Sequence, residues 1–220
     1  RAGARVFVTR TVYEDSSSSD GKFVIKPSFP DVCATLPPPG RFGVLAFSCT
    51  NGTVAMGAKA LLNELSSARS GLRYTSPAIA GIHALDFLKA RRIAFLSPYL
   101  KNTHKLFYSF YADNNIAISA DGTFNLSTDA EIGEIASASL FAAAKNLVAN
   151  DKPDAIFISC TATPIVPHID QLEQDIGIPV VSSSQAMAWD ALRLANYNEP
   201  VAGFGRLLSA QNRVRAQPRF

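Results

Sequence analysis

Two cysteines in the same local sequence are the residues of this chain best suited to chemistry. Cys49 ends the apolar segment FGVLAFSCT and Cys160 ends the apolar segment DAIFISCT. A thiol has an ordinary pKa of ~8.5, and backbone amides at a helix start lower it toward neutral pH. Each cysteine can therefore serve as nucleophile, general base or general acid. The alternative is that both are small buried hydrophobic residues, against which the repeated Ser-Cys-Thr motif argues.

Polar residues beside the cysteines are suited to holding an anion. Thr50 and Asn51 follow the first cysteine, and Thr161 follows the second. Their hydroxyl, side-chain amide and backbone donors can bind a carboxylate, although the same residue types also cap helices. Tyr99, in SPYL at the end of another strand-like run, adds a neutral donor unless it is a surface aromatic residue. The sequence predicts a site for a small carboxylate.

Apolar runs of strand length alternate with longer amphipathic stretches along the chain. This alternation, with short connections, predicts an α/β fold with parallel sheets. Ligands of such sheets bind beyond the carboxyl ends of the strands, where both cysteines fall. The predicted strands are 4–9, 43–47, 72–75, 93–96, 116–119, 155–159 and 179–182; the predicted helices are 53–65, 79–90, 103–114, 129–150, 167–176 and 185–194; residues 15–40 are expected to be irregular or partly helical.

A weak internal repeat surrounds the two cysteines. FGVLAFSCTNG matches DAIFISCTATP, and a second pair, GLRYTSPAIAGIHALDFL and GIPVVSSSQAMAWDALRL, follows in the same order. Two matches in one order indicate a duplicated lobe. We therefore expect two pseudo-symmetric lobes, each a parallel sheet flanked by helices, with the active site in the cleft between them. Lobe one spans about 1–90 plus 185–220 and lobe two about 91–184.

The composition narrows the classes of partner. The 220 residues are 47% hydrophobic and 18% charged, as in ordinary globular proteins. A net charge of +3 with scattered basic residues argues against binding nucleic acid or an anionic membrane surface. No apolar run approaches the ~18 residues of a membrane span, and the start of the chain does not resemble a signal peptide. We expect a cytoplasmic protein.

No cofactor or metal is indicated by any motif. Three cysteines, including Cys33, are too few for a disulfide framework and lack CxxC spacing, so reduced thiols are expected. His83, His104 and His168 show no metal-ligand spacing, so we expect no metal site. GxGxxG and GxxxxGK[ST] runs are missing from the sequence, as is the GxSxG elbow of serine hydrolases.

Several motifs together resemble one known superfamily. SCTNGT, SPYL, SCTATP, GIPVVSSSQAMAWDALRLA and GFGRLL, spread over residues 6–208, resemble the aspartate/glutamate racemase superfamily and its branch of maleate cis–trans isomerases and arylmalonate decarboxylases. The resemblance implies that Cys49 adds to the double bond of maleate, giving a succinyl-cysteine adduct, and that Cys160 moves the proton. It also implies that carboxylates bind to Thr50, Asn51, Tyr99 and Thr161, without a cofactor, and a homodimer is compatible with it.

Other activities stay open within this resemblance. Decarboxylases of the branch keep only the second cysteine and have a glycine where Cys49 stands, so two thiols favour an isomerase or an amino-acid or hydantoin racemase. A racemase would use the two thiols as bases on opposite faces of its substrate. A binding protein that has lost turnover is a further alternative. Asn51 stands where the branch often has a small hydroxyl residue, which favours a different substrate.

The start of the chain differs from the pattern of the branch. Its members carry a first strand and a loop with an Asn carboxylate ligand before the segment matching residues 6–10. The chain begins with Arg1 rather than Met, and we expect that N-terminal residues are missing from it.

Overall fold

Two parallel β-sheets flanked by helices form the framework, which confirms the predicted fold class. The computed structural model describes residues 4–11, 28–38, 40–149 and 151–210. The first sheet pairs β1 (Val44–Ala46) with β2 (Arg73–Thr75). The second has the order β4-β3-β5-β6. Parallel neighbours need crossover connections, which the intervening helices provide.

The remaining elements follow in alternation along the chain. None of the described helices is long and apolar enough to cross a lipid bilayer. The strands of the second sheet are β3 (Arg92–Tyr99), β4 (Ala117–Leu126), β5 (Ala155–Ile158) and β6 (Val180–Ser182); the helices are α1 (Phe29–Ala34), α2 (Thr50–Met56), α3 (Ala58–Ala68), α4 (Pro77–Phe87), α5 (Lys101–Asp113), α6 (Asp129–Gly133), α7 (Ser137–Ala149), a 3₁₀ turn (Val166–His168), α8 (Ile169–Ile176), α9 (Ser183–Leu194) and α10 (Gly205–Ser209).

Three predicted elements differ from the structure. The strand predicted at 4–9 is wrong: the segment has no regular structure and leaves Val6 81% exposed, because apolar alternation does not itself supply a partner strand. The helix predicted at 53–65 is two helices, α2 and α3, separated by Gly57 at φ 82°. The one predicted at 129–150 is α6 and α7, separated by three residues. Of the predicted irregular segment, 15–27 and 39 lie outside the described residues.

Strands β3, β5 and β6 of the second sheet are buried on both faces, whereas β4 at the edge of the sheet is partly exposed. Successive residues of β3 point to opposite sides, so Phe95 joins a core cluster with Phe157 while Leu96 joins another with Ile158. Such two-sided burial is typical of parallel sheets and explains why these strands are continuous apolar runs. Polar side chains therefore lie at the edge of the sheet that the carboxyl ends of the strands form.

Helix α9 connects the two sheets. It begins at the end of β6 in the second sheet, yet it packs against α4, β1 and β2. Its buried Asp190 accepts a hydrogen bond from Thr75 and lies 3.0 Å from Nδ1 of His83. Because a buried carboxylate is stable only when it is hydrogen-bonded, these contacts hold α9 in place. The lobe boundaries at about 90 and 184 stay a prediction.

Candidate active site

Cys49 is the N-cap residue of α2, directly beyond the first sheet. Its Sγ accepts a hydrogen bond from the backbone N–H of Gly52 at 3.3 Å, so the thiol occupies the place usually taken by a capping oxygen. The neighbouring Thr50 is buried and donates to Oγ of Ser183, 3.0 Å away, in the first turn of α9. Thr50 therefore ties the first cysteine to the carboxyl end of β6.

Cys160 follows β5 with backbone in the left-handed region, at φ 77°. A turn follows it directly, in which the backbone N–H of Thr163 donates to the carbonyl of Cys160 at 3.4 Å, and the amides of Ala162 and Thr163 lower the pKa of the thiol. Left-handed backbone costs a non-glycine residue about 1–3 kcal/mol, and such residues concentrate at functional sites. This left-handed conformation brings two backbone N–H groups close to the sulfur of Cys160.

Tyr99 interacts with both cysteines. It ends β3 with 8% of its surface exposed, and its ring stacks on Phe107 at 5.5 Å, so it is not a surface aromatic residue. Its hydroxyl accepts a hydrogen bond from Ser159 at 3.3 Å and donates to the thiol of Cys160. Burial and the two cysteines raise the pKa of Tyr99 well above its ordinary value. It is a neutral donor.

The pKa values of both thiols are raised rather than lowered. Burial raises the pKa of Cys49 to about 11, outweighing the lowering effect of the Gly52 amide. Burial likewise raises the pKa of Cys160 more than its amide donors lower it. The expectation that helix amides bring these thiols toward neutral pH is therefore wrong, since desolvation is the larger effect. A negative charge on Cys160 further raises the pKa of Cys49, so the two thiols lie close enough for their charges to interact.

A raised pKa predicts a specific alkylation profile. The rate at which iodoacetamide modifies Cys49 should rise about tenfold per pH unit from pH 7 to 10, because only the thiolate reacts. Peptide mass spectrometry separates Cys49 from the other cysteines. In Cys160→Ala the profile should shift to lower pH, because one negative group is gone. A plateau below pH 9 in the unaltered protein would show that the thiol is not desolvated.

The other predicted site residues occupy the same region. Asn51 follows in α2; its buried Oδ1 accepts no hydrogen bond from any described residue. Thr161 is half-buried, and its carbonyl accepts from the Ser184 hydroxyl of α9. Asp129, at the start of α6, was not predicted, yet its charge raises the pKa of both cysteine thiols. The sequence does mark the start of α6, because Thr128 and Glu131 form a capping box at the end of the loop after β4.

Metal ligation has no support in the part of the chain that the structure describes. No group of three His, Cys, Asp or Glu side chains there could hold a metal ion. The arrangement instead presents two thiols, a phenol and backbone amides, which suit proton transfer and thiol addition.

Comparisons with known proteins identify the family of this chain. The arylmalonate decarboxylase family model matches residues 55–208, which confirms the resemblance. Maleate isomerase of Nocardia farcinica is 27% identical over 157 residues, or 71% of this chain. Arylmalonate decarboxylase of Bordetella bronchiseptica is 28% identical over 140 residues, covering 63% of this chain and 58% of the decarboxylase.

Solved structures show the same fold. The Nocardia farcinica isomerase bound to TRIS superposes with a TM-score of 0.73 at 25% identity, covering 82% of this chain and 74% of that one. Another structure of that isomerase holds a covalently bound succinylcysteine intermediate. In the sequence comparison, this chain spans 62% of the length of the Nocardia farcinica isomerase.

Proposed function

Since the chain belongs to the arylmalonate decarboxylase family, we propose that it is a cofactor-independent cis–trans isomerase of a small unsaturated dicarboxylate of the maleate type. The observation that carries the proposal is the pair of thiols, Cys49 beyond the first sheet and Cys160 beyond the second, whose charges act on each other and on Tyr99. The succinylcysteine intermediate of the related isomerase supports the same chemistry.

Addition is the first step of the proposed reaction. The Cys49 thiolate forms a C–S bond to one alkene carbon, the π bond breaks, and its electron pair moves to the neighbouring carbon beside the carboxylate. The Cys160 thiol, which receives the hydrogen bond of Tyr99, gives that carbon a proton. Half-buried Cys49 is better placed to meet a substrate carbon than Cys160, which is 7% exposed.

Rotation and elimination complete the cycle. The former double bond is now a single bond and turns freely, which replaces one hard step with two easier ones. The Cys160 thiolate takes the proton back, the π bond reforms, and Cys49 leaves as a thiolate. The reaction needs one ionised and one protonated thiol. Repulsion between the two sulfurs disfavours ionisation of both thiols at once, and the reaction requires that the single negative charge be on Cys49 when the substrate is attacked.

Carboxylates of the substrate are proposed to bind to donors around the thiols. The neutral hydroxyl of Tyr99 and the backbone amides of the turn after Cys160 are donors fixed before the substrate arrives. Thr50, Asn51 and Thr161 stay predictions for this role. Thr50 already uses its hydroxyl proton toward Ser183, so carboxylate binding there requires the hydroxyl to turn.

A cofactor-free assay tests the proposal. The protein is incubated with maleate in deuterated buffer without metal or nucleotide, and fumarate is followed by proton NMR. Appearance of fumarate at a rate proportional to protein concentration supports the isomerase. Maleate left unchanged at high protein concentration, while the protein is folded, contradicts it.

A two-base racemase is the second candidate. The observation that favours it is that each thiol has its own backbone donors, Gly52 for Cys49 and Ala162 for Cys160, so either sulfur can be the base. A racemase would introduce solvent deuterium at the α-carbon of aspartate, glutamate or a hydantoin. An isomerase would leave these compounds unchanged, so the same NMR samples separate the two activities.

A further inference from the structure

A serine, a histidine and an aspartate form a hydrogen-bonded array close to Tyr99. Oγ of Ser97 in β3 lies 2.7 Å from Nδ1 of His104 in α5, and Nε2 of His104 lies 2.9 Å from Oδ2 of Asp121 in β4. Ser97 and His104 are 1% and 4% exposed. A carboxylate only accepts, so Nε2 carries the proton toward Asp121, and in the neutral ring Nδ1 accepts the Ser97 hydroxyl proton. One side chain of α5 is thus tied to two neighbouring strands.

The position of this array excludes serine hydrolase chemistry, although the residue types are the same. Ser97 is buried and its hydroxyl is covered by the imidazole of His104, so no ester or amide carbon can reach it. A buried polar network whose members are all hydrogen-bonded instead fixes one arrangement of the elements that it joins, because any other arrangement leaves a buried polar atom without a partner. The array therefore sets the position of α5 along β3.

Aromatic stacking transmits this position to Tyr99. Phe95, Ser97 and Tyr99 are alternate residues of β3, so their side chains lie on one face of the strand. The ring of His104 stacks on Phe95 at 4.8 Å, and Phe107, one turn further along α5, stacks on Tyr99 at 5.5 Å with 15° between the ring planes. Phe107 is fully buried and cannot turn aside. The position of α5 therefore sets the plane of the Tyr99 ring.

The plane of this ring determines where the Tyr99 hydroxyl lies. Ser159, the residue before Cys160, donates to that hydroxyl at 3.3 Å, and the hydroxyl donates to the Cys160 thiol. The hydroxyl is at the far end of a rigid ring, so a small tilt of the ring displaces it and weakens the hydrogen bond. A displacement of about 1 Å in a catalytic group can cost about 10²-fold in rate.

Resting on the proposed function, we propose that His104 is a positioning residue for the proton transfer at Cys160. By joining Ser97 to Asp121, it holds α5 where Phe107 keeps the Tyr99 hydroxyl against the thiol that gives and takes back the proton. His104 contacts neither the substrate nor the reacting atoms, and it acts only through Tyr99.

His104→Phe and Tyr99→Phe test the proposal on the ionisation of Cys160. His104→Phe keeps a flat ring over Phe95 and loses both hydrogen bonds. We follow the pKa of Cys160 by ¹³C NMR of cysteine labelled at Cβ, with the signal assigned by its loss in Cys160→Ala. In Tyr99→Phe this pKa should rise by about one pH unit, because a hydrogen bond to the thiolate is lost. His104→Phe should give about half of this rise or more, and the double variant should rise no further than Tyr99→Phe.

Ser97→Ala and Leu140→Ala separate positioning from loss of stability. Ser97→Ala removes the link to β3 with a small change of volume, so it should raise the pKa of Cys160 even if His104→Phe does not fold. Leu140 is fully buried in the core cluster on the opposite face of the second sheet. Leu140→Ala should therefore lower stability and leave the pKa of Cys160 in place. An equal rise in Leu140→Ala would mean that a loosened sheet is the cause, which overturns the inference.

Turnover of maleate is the second measurement. In His104→Phe, kcat/KM for fumarate formation should fall about tenfold, and the fall should not add to that of Tyr99→Phe. If the unaltered protein does not convert maleate but the pKa of Cys160 rises as described, the isomerase fails alone and the positioning role is supported. A pKa of Cys160 that does not change in Tyr99→Phe or in Ser97→Ala, rises that add in the double variant, or an unchanged kcat/KM in His104→Phe overturns the inference.

Discussion

Cys49→Ala should lower kcat/KM for cis–trans isomerisation by about 10⁴-fold or more, and Cys160→Ala by about 10²–10⁴-fold. The first change removes the only atom that forms the bond to carbon. The second removes the proton donor but leaves the Cys49 sulfur able to add. Initial rates of fumarate formation by proton NMR measure both effects.

Cys33→Ala is the matched control for the loss of a thiol. Cys33 is buried, but it packs in a separate core cluster with Phe29, Leu61 and Leu65. Its removal should cost about 1 kcal/mol of stability and leave kcat/KM within about twofold. Full turnover in either Cys49→Ala or Cys160→Ala would contradict the proposed mechanism, whereas a large loss in Cys33→Ala would mean that thiol loss acts through folding.

Gly205→Ala should lower the free energy of unfolding by about 3 kcal/mol. Gly205 has φ +82°, and a Cβ there would lie 2.5 Å from Cγ2 of Ile169 and 3.0 Å from Nε2 of Gln185. Ile169 is fully buried and β-branched, so its methyl group cannot move away without disturbing the core. Denaturant unfolding monitored by circular dichroism measures the change.

Gly203→Ala separates overlap from backbone strain. Gly203 has φ +90°, but a Cβ there would meet nothing within 4 Å. It should therefore show only the cost of left-handed backbone, about 1 kcal/mol. If the two variants lose equal stability, the close approach of Gly205 to Ile169 is not the cause.

The tight contact at Gly205 also explains how α10, the last described helix, is held. The backbone N–H of Gly205 donates to Asp170, and that of Arg206 donates to Glu173 at 2.9 Å. Glu173 is buried and also accepts from the backbone of Val180 in β6. The start of α10 is thus fixed to α8 and to the second sheet at once, which leaves no room for a side chain at position 205.

Elements whose pattern is local were predictable from sequence. The strands near 93–96 and 155–159 were found because a parallel strand buried on both faces is an uninterrupted apolar run. The strand predicted at 4–9 shows the limit, because alternation of Val6 and Val8 does not create a neighbouring strand. Likewise, Gly57 divides a predicted helix through a backbone angle that periodicity does not record.

The candidate site likewise has some features that were predictable from the sequence and others that were not. The sequence by itself determined the repeated Ser-Cys-Thr motif, the placement of each cysteine at a strand end and the position of Tyr99 at the end of β3, because these depend on neighbours in the chain. Only the tertiary structure decided the raised pKa of both thiols, the hydrogen bond from Tyr99 to Cys160 and the effect of the Asp129 charge on both thiols. Burial and through-space charge are sums over residues distant in sequence, and no local pattern contains them.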